Sequence, residues 1–452
     1  MRLFGLMCIV WVAVCISHGP ARAADVKARP RVDLAGAVDQ HIQQAAPDWL
    51  NYYKDLHRNP ELSLKEAESA KKLARRLEAA GYKVTTGVGG HGVVGVLANG
   101  KGPTVLIRGD MDALPIVEQT KLPYASQVTV EGTDGQKVGV MHACGHDVHQ
   151  TCLAGTAEVL AALKDRWSGT VVAIGQPAEE IGKGALAMIT DGLFERFPKP
   201  DYCISLHVAH ILPAGVIGYT PGWALANVDS VDIVIHGRGG HGSRPHQAID
   251  PIVTAAHVIT ALQTVESRRL DPVEAGVITV GSIHAGSKHN IIPDDARLEI
   301  TVRSFSEETR KTLLDGIREV TINTCRAMGC PRDPDIHLRA DEFTPASFND
   351  PELSKQAAQV LAQILGASAV IEIKPVMGGE DFGRYASHLK VPGFMFWLGS
   401  IGQDRFDASL KPGAEPLPAL HSSQYWPEAE PTIATGVRSL TSLALSLFDA
   451  KP

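Results

Sequence analysis

The sequence predicts an α/β fold in which a mixed, mostly parallel sheet is interrupted by an inserted, ferredoxin-like α+β domain. Three short apolar runs of buried-strand type are separated by helical stretches, the alternation that a parallel sheet requires. Residues 228–340 instead follow the order strand, helix, strand, strand, helix, strand, which is typical of a split βαβ unit. The first pattern then resumes, so residues 24–227 and 341–452 should form one domain that brackets the insertion.

Length and composition agree with two globular domains. The chain has 452 residues, more than a single core usually serves, and 44% of them are hydrophobic. The net charge of −7 and the lack of a basic block argue against nucleic acid and against an anionic membrane surface as partners. A small molecule or another protein is the expected partner.

The first 23 residues have the features of a secretory signal peptide. Arg2 precedes an apolar run over residues 3–16, and an A-x-A-type cleavage motif ends at Ala23. The run is short for a membrane span, although a retained N-terminal anchor is the alternative. We therefore expect an exported protein, periplasmic or secreted, with no stable membrane span after cleavage.

Helical periodicity predicts two helices before the first strand, over residues 43–56 and 64–80, with a flexible segment at residues 24–40 ahead of them. The turn between these helices contains His57. We interpret His57 as a turn residue bonded to backbone, and a role in orienting a catalytic group is the alternative.

The cysteines do not form a disulfide scaffold, because the five that follow residue 23 are odd in number and sparse. Cys325 and Cys330 lie near the end of one predicted helix. They either pair in an oxidising compartment or remain two buried thiols.

The strongest functional signal is the stretch from Met141 to Asp147, which holds two imidazoles, a thiol and a carboxylate just before a predicted helix. Cys144 and His146 are separated by one glycine, so the backbone can turn and both side chains can converge on one ion or on adjacent ions. The alternative is a buried cysteine beside a capping residue of the helix. Further candidate ligands elsewhere in the sequence would favour a metal site over this alternative.

Such ligands follow the predicted strands, where the ligands of parallel sheets usually gather. More donors occur in a glycine-containing loop and before the last helix. Thiolate, imidazole and carboxylate together suit zinc, manganese, cobalt or nickel better than calcium or magnesium, and the donors suffice for two ions. The candidates are Asp110, Asp112, Cys144, His146, Glu179, Glu180, His207, Glu380, Asp381 and His421.

The adjacent acids Glu179 and Glu180 suggest a division of roles. Neighbouring side chains at a strand end point in different directions, so one carboxylate can bind metal while the other acts as general base in amide hydrolysis. A solvated acidic pair is the alternative. The sequence lacks the motifs of serine-triad, zincin and nucleotide-binding enzymes.

In their order, these motifs resemble the aminoacylase, hippurate hydrolase and carboxypeptidase family of dinuclear metallo-amidohydrolases, in the branch that includes auxin-conjugate hydrolases. The resemblance covers nearly all of the mature chain. It implies a metallopeptidase catalytic domain with an inserted dimerisation or lid domain, and hence a homodimer or a higher homo-oligomer. The matching segments are residues 56–61, 110–115, 142–147, 176–180, 239–241, 290–294 and 380–382, and His421.

The resemblance also implies a role for each site residue. Two divalent transition-metal ions per subunit would be bound by Cys144, His146, Glu180, His207 and His421. Glu179 would be the general base, and Asp112 would support the cluster.

The inserted domain would contribute the remaining functional residues. The resemblance makes His241 an oxyanion donor to the neighbouring subunit's site, and it makes Asn290 and Arg303 ligands of the substrate carboxylate. A structural role in its strand is the alternative for Arg303. The loop after His241 departs from the family pattern, in which a small and an apolar residue are common. This chain has Gly242, Ser243 and Arg244 there, and the extra charge could reshape substrate choice.

The sequence therefore predicts an exported, metal-dependent amidohydrolase that cleaves N-acyl-L-amino acids or related conjugates. A metallo-carboxypeptidase or dipeptidase is the alternative within the enzymes, since selectivity depends on pocket walls in both domains. The alternative that is not an enzyme is a solute-binding protein without catalytic activity.

Overall fold

The computed structural model describes residues 34–131 and 135–450, so the predicted signal peptide lies outside the described residues. In this part of the chain, no helix is both long and apolar enough to cross a membrane. The helices are α1 Ala35–Arg58, α2 Ala67–Ala79, α3 His146–Ala162, α4 Gly184–Thr190, α5 Leu193–Arg196, α6 Pro251–Arg269, α7 Glu307–Ala327, α8 Pro351–Leu365, α9 Gly383–Leu389, α10 Gln403–Ser409 and α11 Ala429–Leu447.

The strands form one large sheet, a second sheet of four strands and several short pairs. They are β1 Lys83–Val88, β2 Gly92–Ala98, β3 Thr104–Asp110, β4 Thr129–Glu131, β5 Lys137–Gly139, β6 Trp167–Ser168, β7 Thr170–Gln176, β8 Tyr202–Pro213, β9 Ile217–Tyr219, β10 Gly222–Leu225, β11 Asn227–His236, β12 Gly240–His241, β13 Gly276–Ala285, β14 Ile291–Ile292, β15 Asp295–Ser304, β16 Asp335–Leu338, β17 Ser347–Asn349, β18 Val370–Glu372, β19 Gly393–Ile401 and β20 Asp449–Ala450.

The large sheet has the strand order β1-β2-β7-β3-β8-β19-β9-β18. Its centre is parallel, since β3 runs parallel to β7 and β8, and β19 runs parallel to β8. The pairs β1 with β2, β2 with β7 and β9 with β19 are antiparallel, so the sheet is mixed as predicted. Asp110 lies opposite Gln176 in the pair of β3 and β7, which brings the polar strand endings to the same edge.

Helices cover both faces of this sheet, which explains why its central strands are apolar without alternation. On one face α1, α3 and α11 pack together and bury Trp49, Leu153 and Val437. On the other face α4, α5 and α9 bury Met188 and Phe194.

The second sheet has the order β13-β15-β11-β16 and is antiparallel throughout. Alternate residues of β11 are buried, because α6 and α7 cover one face of this sheet and share a separate apolar core with it. This is the ferredoxin-like order that the sequence predicts. The domain limits at residues 228 and 340 stay a prediction.

Two local expectations differ from the structure. Helix α1 begins at Ala35 within the segment expected to be flexible, because Val38 and Ile42 are buried in the core and stabilise the extra turns. The same helix extends to Arg58, so His57 lies in its last turn and not in a loop. Of the two alternatives for Cys325 and Cys330, the structure has free thiols, of which Cys325 is buried and Cys330 is half-buried. The Cys330 N–H donates to the Cys325 carbonyl at 3.0 Å.

Candidate metal centre

The Cys144 thiol lies between two imidazoles that come from distant parts of the chain. Its Sγ is 3.5 Å from His207 Nε2, on β8, and 3.3 Å from His421 Nε2. Gly145 has φ of +77°, and a Cβ at this position would lie 2.6 Å from Val208 Cγ2. Glycine therefore lets the chain turn between Cys144 and His146 while it passes close to β8.

His146, the first residue of α3, faces the acidic pair that follows β7. Its Nε2 is 3.8 Å from Glu179 Oε2 and 3.7 Å from Glu180 Oε1. The second oxygen of Glu180, Oε2, is 3.4 Å from His421 Nε2. Glu180 thus reaches both His146 and His421, and the five predicted ligands form one continuous cluster.

Two of these potential metal-binding atoms are buried without a hydrogen bond to the described residues. They are His146 Nε2 and Glu180 Oε1. A buried polar atom without a partner is costly, so native proteins usually satisfy such atoms with water, ligand or metal. The donor set therefore fits divalent metal ions bound between these side chains.

The other nitrogen of each ring has a polar neighbour, a hydrogen-bonded carbonyl for His207 and a nearby carboxylate for His146. His207 Nδ1 donates to the Val208 carbonyl at 2.8 Å, which leaves Nε2 directed at Cys144. His146 Nδ1 lies 3.3 Å from Asp112 Oδ1. Such contacts fix the tautomer and orientation of metal-binding histidines, and Asp112 supports the cluster in this way.

Burial shifts the pKa values of the acidic groups in the cluster towards their neutral forms. Burial raises the pKa of the Cys144 thiol well above its usual range. Burial also raises the pKa of Glu180, to about 7, and that of Glu179, whose pKa the Glu380 and Glu180 carboxylates raise further. These groups favour their neutral forms when alone, whereas a bound cation would favour the thiolate and the carboxylates.

Three other candidate acids bind an arginine. Arg108 is completely buried, and its guanidinium lies 2.5 Å from Asp110 Oδ2, 2.7 Å from Glu380 Oε1 and 3.3 Å from Asp381 Oδ1. Its Nε also donates to Gln176 Oε1 at 3.0 Å. Sequence reasoning missed Arg108, although Arg108 and Asp110 are two apart on one strand and so share a face of the sheet.

His149 was also missed, and its ring completes this network. Its Nε2 accepts the Val208 N–H at 2.9 Å, so its Nδ1 carries the proton and donates to Asp110 Oδ1 at 2.6 Å. With both nitrogens used, His149 orients Asp110 and is not available to an ion. Its spacing of three from His146 on a helix is the signal that could have found it.

The interpretation of His57 as a turn residue bonded to backbone is wrong. Its buried ring bridges two carboxylates, with Nδ1 2.6 Å from Asp147 Oδ2 and Nε2 3.1 Å from Glu118 Oε1. Asp147 follows the predicted ligand His146 directly. His57 therefore ties the end of α1 to the start of α3.

Removing His57 should change how stability depends on pH. Burial alone would lower the pKa of His57, but hydrogen bonds to Asp147 and Glu118 outweigh it and raise the pKa to about 9. Because this exceeds the unfolded value, the contribution is complete below about pH 6.5 and is lost as pH rises through about 9. The stability gap between wild type and His57→Gln should therefore shrink by a few kcal/mol, at about 1.4 kcal/mol per pKa unit.

Urea unfolding of both proteins between pH 5.5 and pH 9.5 measures this gap. His284→Gln, at an exposed position on β13, serves as the matched control and should show no such trend. A gap that stays constant over this pH range would contradict the charged bridge.

The residues predicted on the inserted domain lie apart from the cluster. His241 is exposed on β12, and Asn290 is next to it, since the Gly242 N–H donates to the Asn290 carbonyl at 2.9 Å. None of their described contacts reaches Cys144. Arg303, half-buried at the end of β15, does approach the site, because a Cβ at Gly379 would lie 3.5 Å from its Nη1.

Fold and site together define a class of protein: an α/β metallohydrolase whose donors converge at the carboxyl ends of parallel strands. Peptidase family M20/M25/M40 matches this chain over residues 106–415. The chain therefore belongs to this family of hydrolases of amide and peptide bonds. The predicted family, fold class and type of enzyme are confirmed.

Named relatives and a solved structure extend the comparison over most of the chain. Thermostable carboxypeptidase 2 of Saccharolobus solfataricus is 38% identical over 379 residues, 83% of this chain and 91% of the relative. Hippurate hydrolase of Campylobacter jejuni is 38% identical over 337 residues, 74% and 84% of the two chains. The crystal structure of a dinuclear metal binding peptidase of the M20 family from Bacillus subtilis is 31% identical with a TM-score of 0.70, covering 89% of this chain and 99% of that chain.

Proposed function

We propose that the protein is an exported amidohydrolase that removes the acyl group from N-acyl-L-amino acids or related conjugates. The observation that carries this proposal is the cluster of Glu179 with five potential metal ligands, of which Cys144, His146 and His207 are buried, Glu180 is half-buried and His421 is exposed. Relatives named hippurate hydrolase and carboxypeptidase support an amide or peptide substrate. The carboxypeptidase name keeps peptide cleavage as the second candidate.

The cluster would hold two divalent metal ions through Cys144, His146, Glu180, His207 and His421. When bound, such ions would polarise the scissile carbonyl and acidify a water molecule. Glu179 has the properties of the base, because it is buried at the same edge but lies against Glu380 and Asp381 and away from His421. It would take a proton from water and pass it to the leaving amine.

The substrate carboxylate would be bound by the inserted domain. Among the described residues, no carboxylate lies within 4 Å of the Arg303 guanidinium, which donates from Nε to Thr301 Oγ1 at 3.1 Å. Its other nitrogens could hold a carboxylate in the bidentate manner that guanidinium favours. Asn290 would supply an amide to the same group.

His241 has the tautomer that an oxyanion donor needs. Its Nδ1 accepts the Ser243 N–H at 3.1 Å, so the neutral ring carries its proton on Nε2. Because His241 does not contact the cluster of its own chain, we propose that it completes the site of a second subunit. The active protein would then be a homodimer or a larger homo-oligomer.

A substrate and metal screen on exported material tests these proposals. N-acetyl and N-benzoyl amino acids should be hydrolysed, and dipeptides should be cleaved more slowly. A chelator should abolish turnover, and addition of zinc, manganese, cobalt or nickel should restore it. Methyl esters of the same substrates are the control, and they should react at least tenfold more slowly if the carboxylate is bound. The N-terminus of exported material should be Ala24.

Two outcomes would contradict the proposal in different ways. Bound metal without turnover on any acyl amino acid or peptide would favour a solute-binding protein. Cleavage of dipeptides alone would favour the peptidase alternative.

A further inference from the structure

Glu66 is a buried acid that the proposed mechanism does not use. It lies just before α2 with its side chain completely shielded from solvent. Its Oε1 accepts two backbone N–H groups, that of Leu64 at 2.9 Å and that of Ala178 at 2.8 Å. The first bond is local, whereas the second joins α2 to the loop that carries Glu179.

Ala178 has an unusual backbone. Its φ is +51°, in the left-handed region that residues with a Cβ rarely occupy. Such a conformation persists only where the surroundings hold it. Because Ala178 immediately precedes Glu179, its conformation decides the direction in which Glu179 leaves the chain.

Two buried carboxylates hold this segment by three consecutive amides. Glu66 accepts the N–H of Ala178, and Asp112 accepts that of Glu179 at 3.1 Å and that of Glu180 at 3.0 Å. Ser63, three residues before Glu66, donates its hydroxyl to Asp112 Oδ2 at 2.6 Å. The start of α2 therefore supports both carboxylates that fix the loop.

We propose that Glu66 is a positioning residue that holds Ala178 in its left-handed conformation and thereby aims the Glu179 carboxylate into the site. This inference rests on the proposed role of Glu179 as general base. The hydrogen bond from Ala178 to Glu66 joins residues far apart in the chain, so Glu66 supports the loop that carries Glu179 and not only the start of α2.

Three substitutions separate positioning from support of the helix. Glu66→Gln keeps the acceptor oxygen and should keep kcat within about threefold of wild type. Glu66→Ala removes it and should lower kcat by about 10- to 100-fold, with KM within about twofold and metal content unchanged. Glu66→Asp keeps a carboxylate next to its own helix but is too short for Ala178, and it should resemble Glu66→Ala.

Amide hydrogen exchange over residues 177–184 gives a readout that needs no substrate. Exchange of the Ala178 amide should be at least tenfold faster in Glu66→Ala and Glu66→Asp than in wild type and Glu66→Gln. Glu68→Ala, at an exposed position on the same helix, is the control and should change neither exchange nor kcat.

The outcomes distinguish this inference from the proposed function. Unchanged exchange at Ala178 in folded Glu66→Ala and Glu66→Asp would overturn the positioning role. So would a wild-type kcat in both, or a joint loss of metal and rise of KM. Absence of turnover in metal-loaded wild type would instead refute the proposed function, while the exchange data would still decide whether Glu66 holds the loop.

Discussion

Replacing Glu179 with alanine should lower kcat by about 10²- to 10⁴-fold while both metal ions stay bound, because a positioned general base contributes about that much. His146 Nε2 is nearly equidistant from Glu179 and Glu180, at 3.8 Å and 3.7 Å, so His146 alone does not separate their roles. Only Glu180 also reaches His421, at 3.4 Å. This contact is why we propose Glu180 as the ligand and Glu179 as the free base.

Kinetics and elemental analysis on the same preparations test this assignment. The matched variant is Glu180→Ala, one residue along the same loop, which should lose metal as well as turnover. Activity retained by a metal-loaded Glu179→Ala protein would refute the role of base, and metal loss in this variant would mean that Glu179 is itself a ligand.

Replacing Arg108 with methionine should destabilise the fold by about 3–5 kcal/mol, the usual cost of leaving a buried charge without its partner. Arg108 is buried against Asp110, Glu380 and Asp381, and methionine would leave these carboxylates uncompensated. The guanidinium has a pKa well above its usual value: burial lowers it, but the three carboxylates outweigh this effect. The guanidinium therefore stays charged throughout the neutral pH range.

Urea unfolding of metal-free wild type and Arg108→Met measures this effect without the contribution of metal binding. Arg297→Met is the control, since Arg297 is exposed and lies 3.9 Å from Asp295. It should unfold at nearly the wild-type urea concentration. A loss below about 1 kcal/mol in Arg108→Met would show that the acids are protonated or solvated once the arginine is gone.

The parts of the site that sequence reasoning found are those that local spacing and sheet topology determine. Cys144 and His146 are neighbours through one glycine. Glu179 follows β7 and His207 lies within β8, and both strands pair with β3. Once these strands are parallel neighbours, their polar endings must meet. The order of strands and helices in the second domain could also be predicted, since the hydrophobic residues of each element repeat with the period of a strand or of a helix.

The remainder depends on contacts that spacing does not encode. Asp110, Glu380 and Asp381 have the same chemistry as a metal ligand. Their ion pairs with the buried Arg108, which reaches Glu380 across 272 positions of the chain, argue against their binding an ion. His57 and Glu66 acquire their roles from partners on other segments, Asp147 and Ala178. No local periodicity distinguishes such residues from an ordinary helix end.

The interleaving of the two sheets in the chain has a consequence for folding. All four strands of the second sheet lie between Asn227 and Leu338, so it can form as soon as that segment is available. The large sheet joins Cys203 of β8 to Gly393 of β19 and thus closes a long loop around the insertion. The four-stranded sheet can therefore form first, whereas the edge of the large sheet that carries the candidate metal ligands can form only when nearly the whole chain is present.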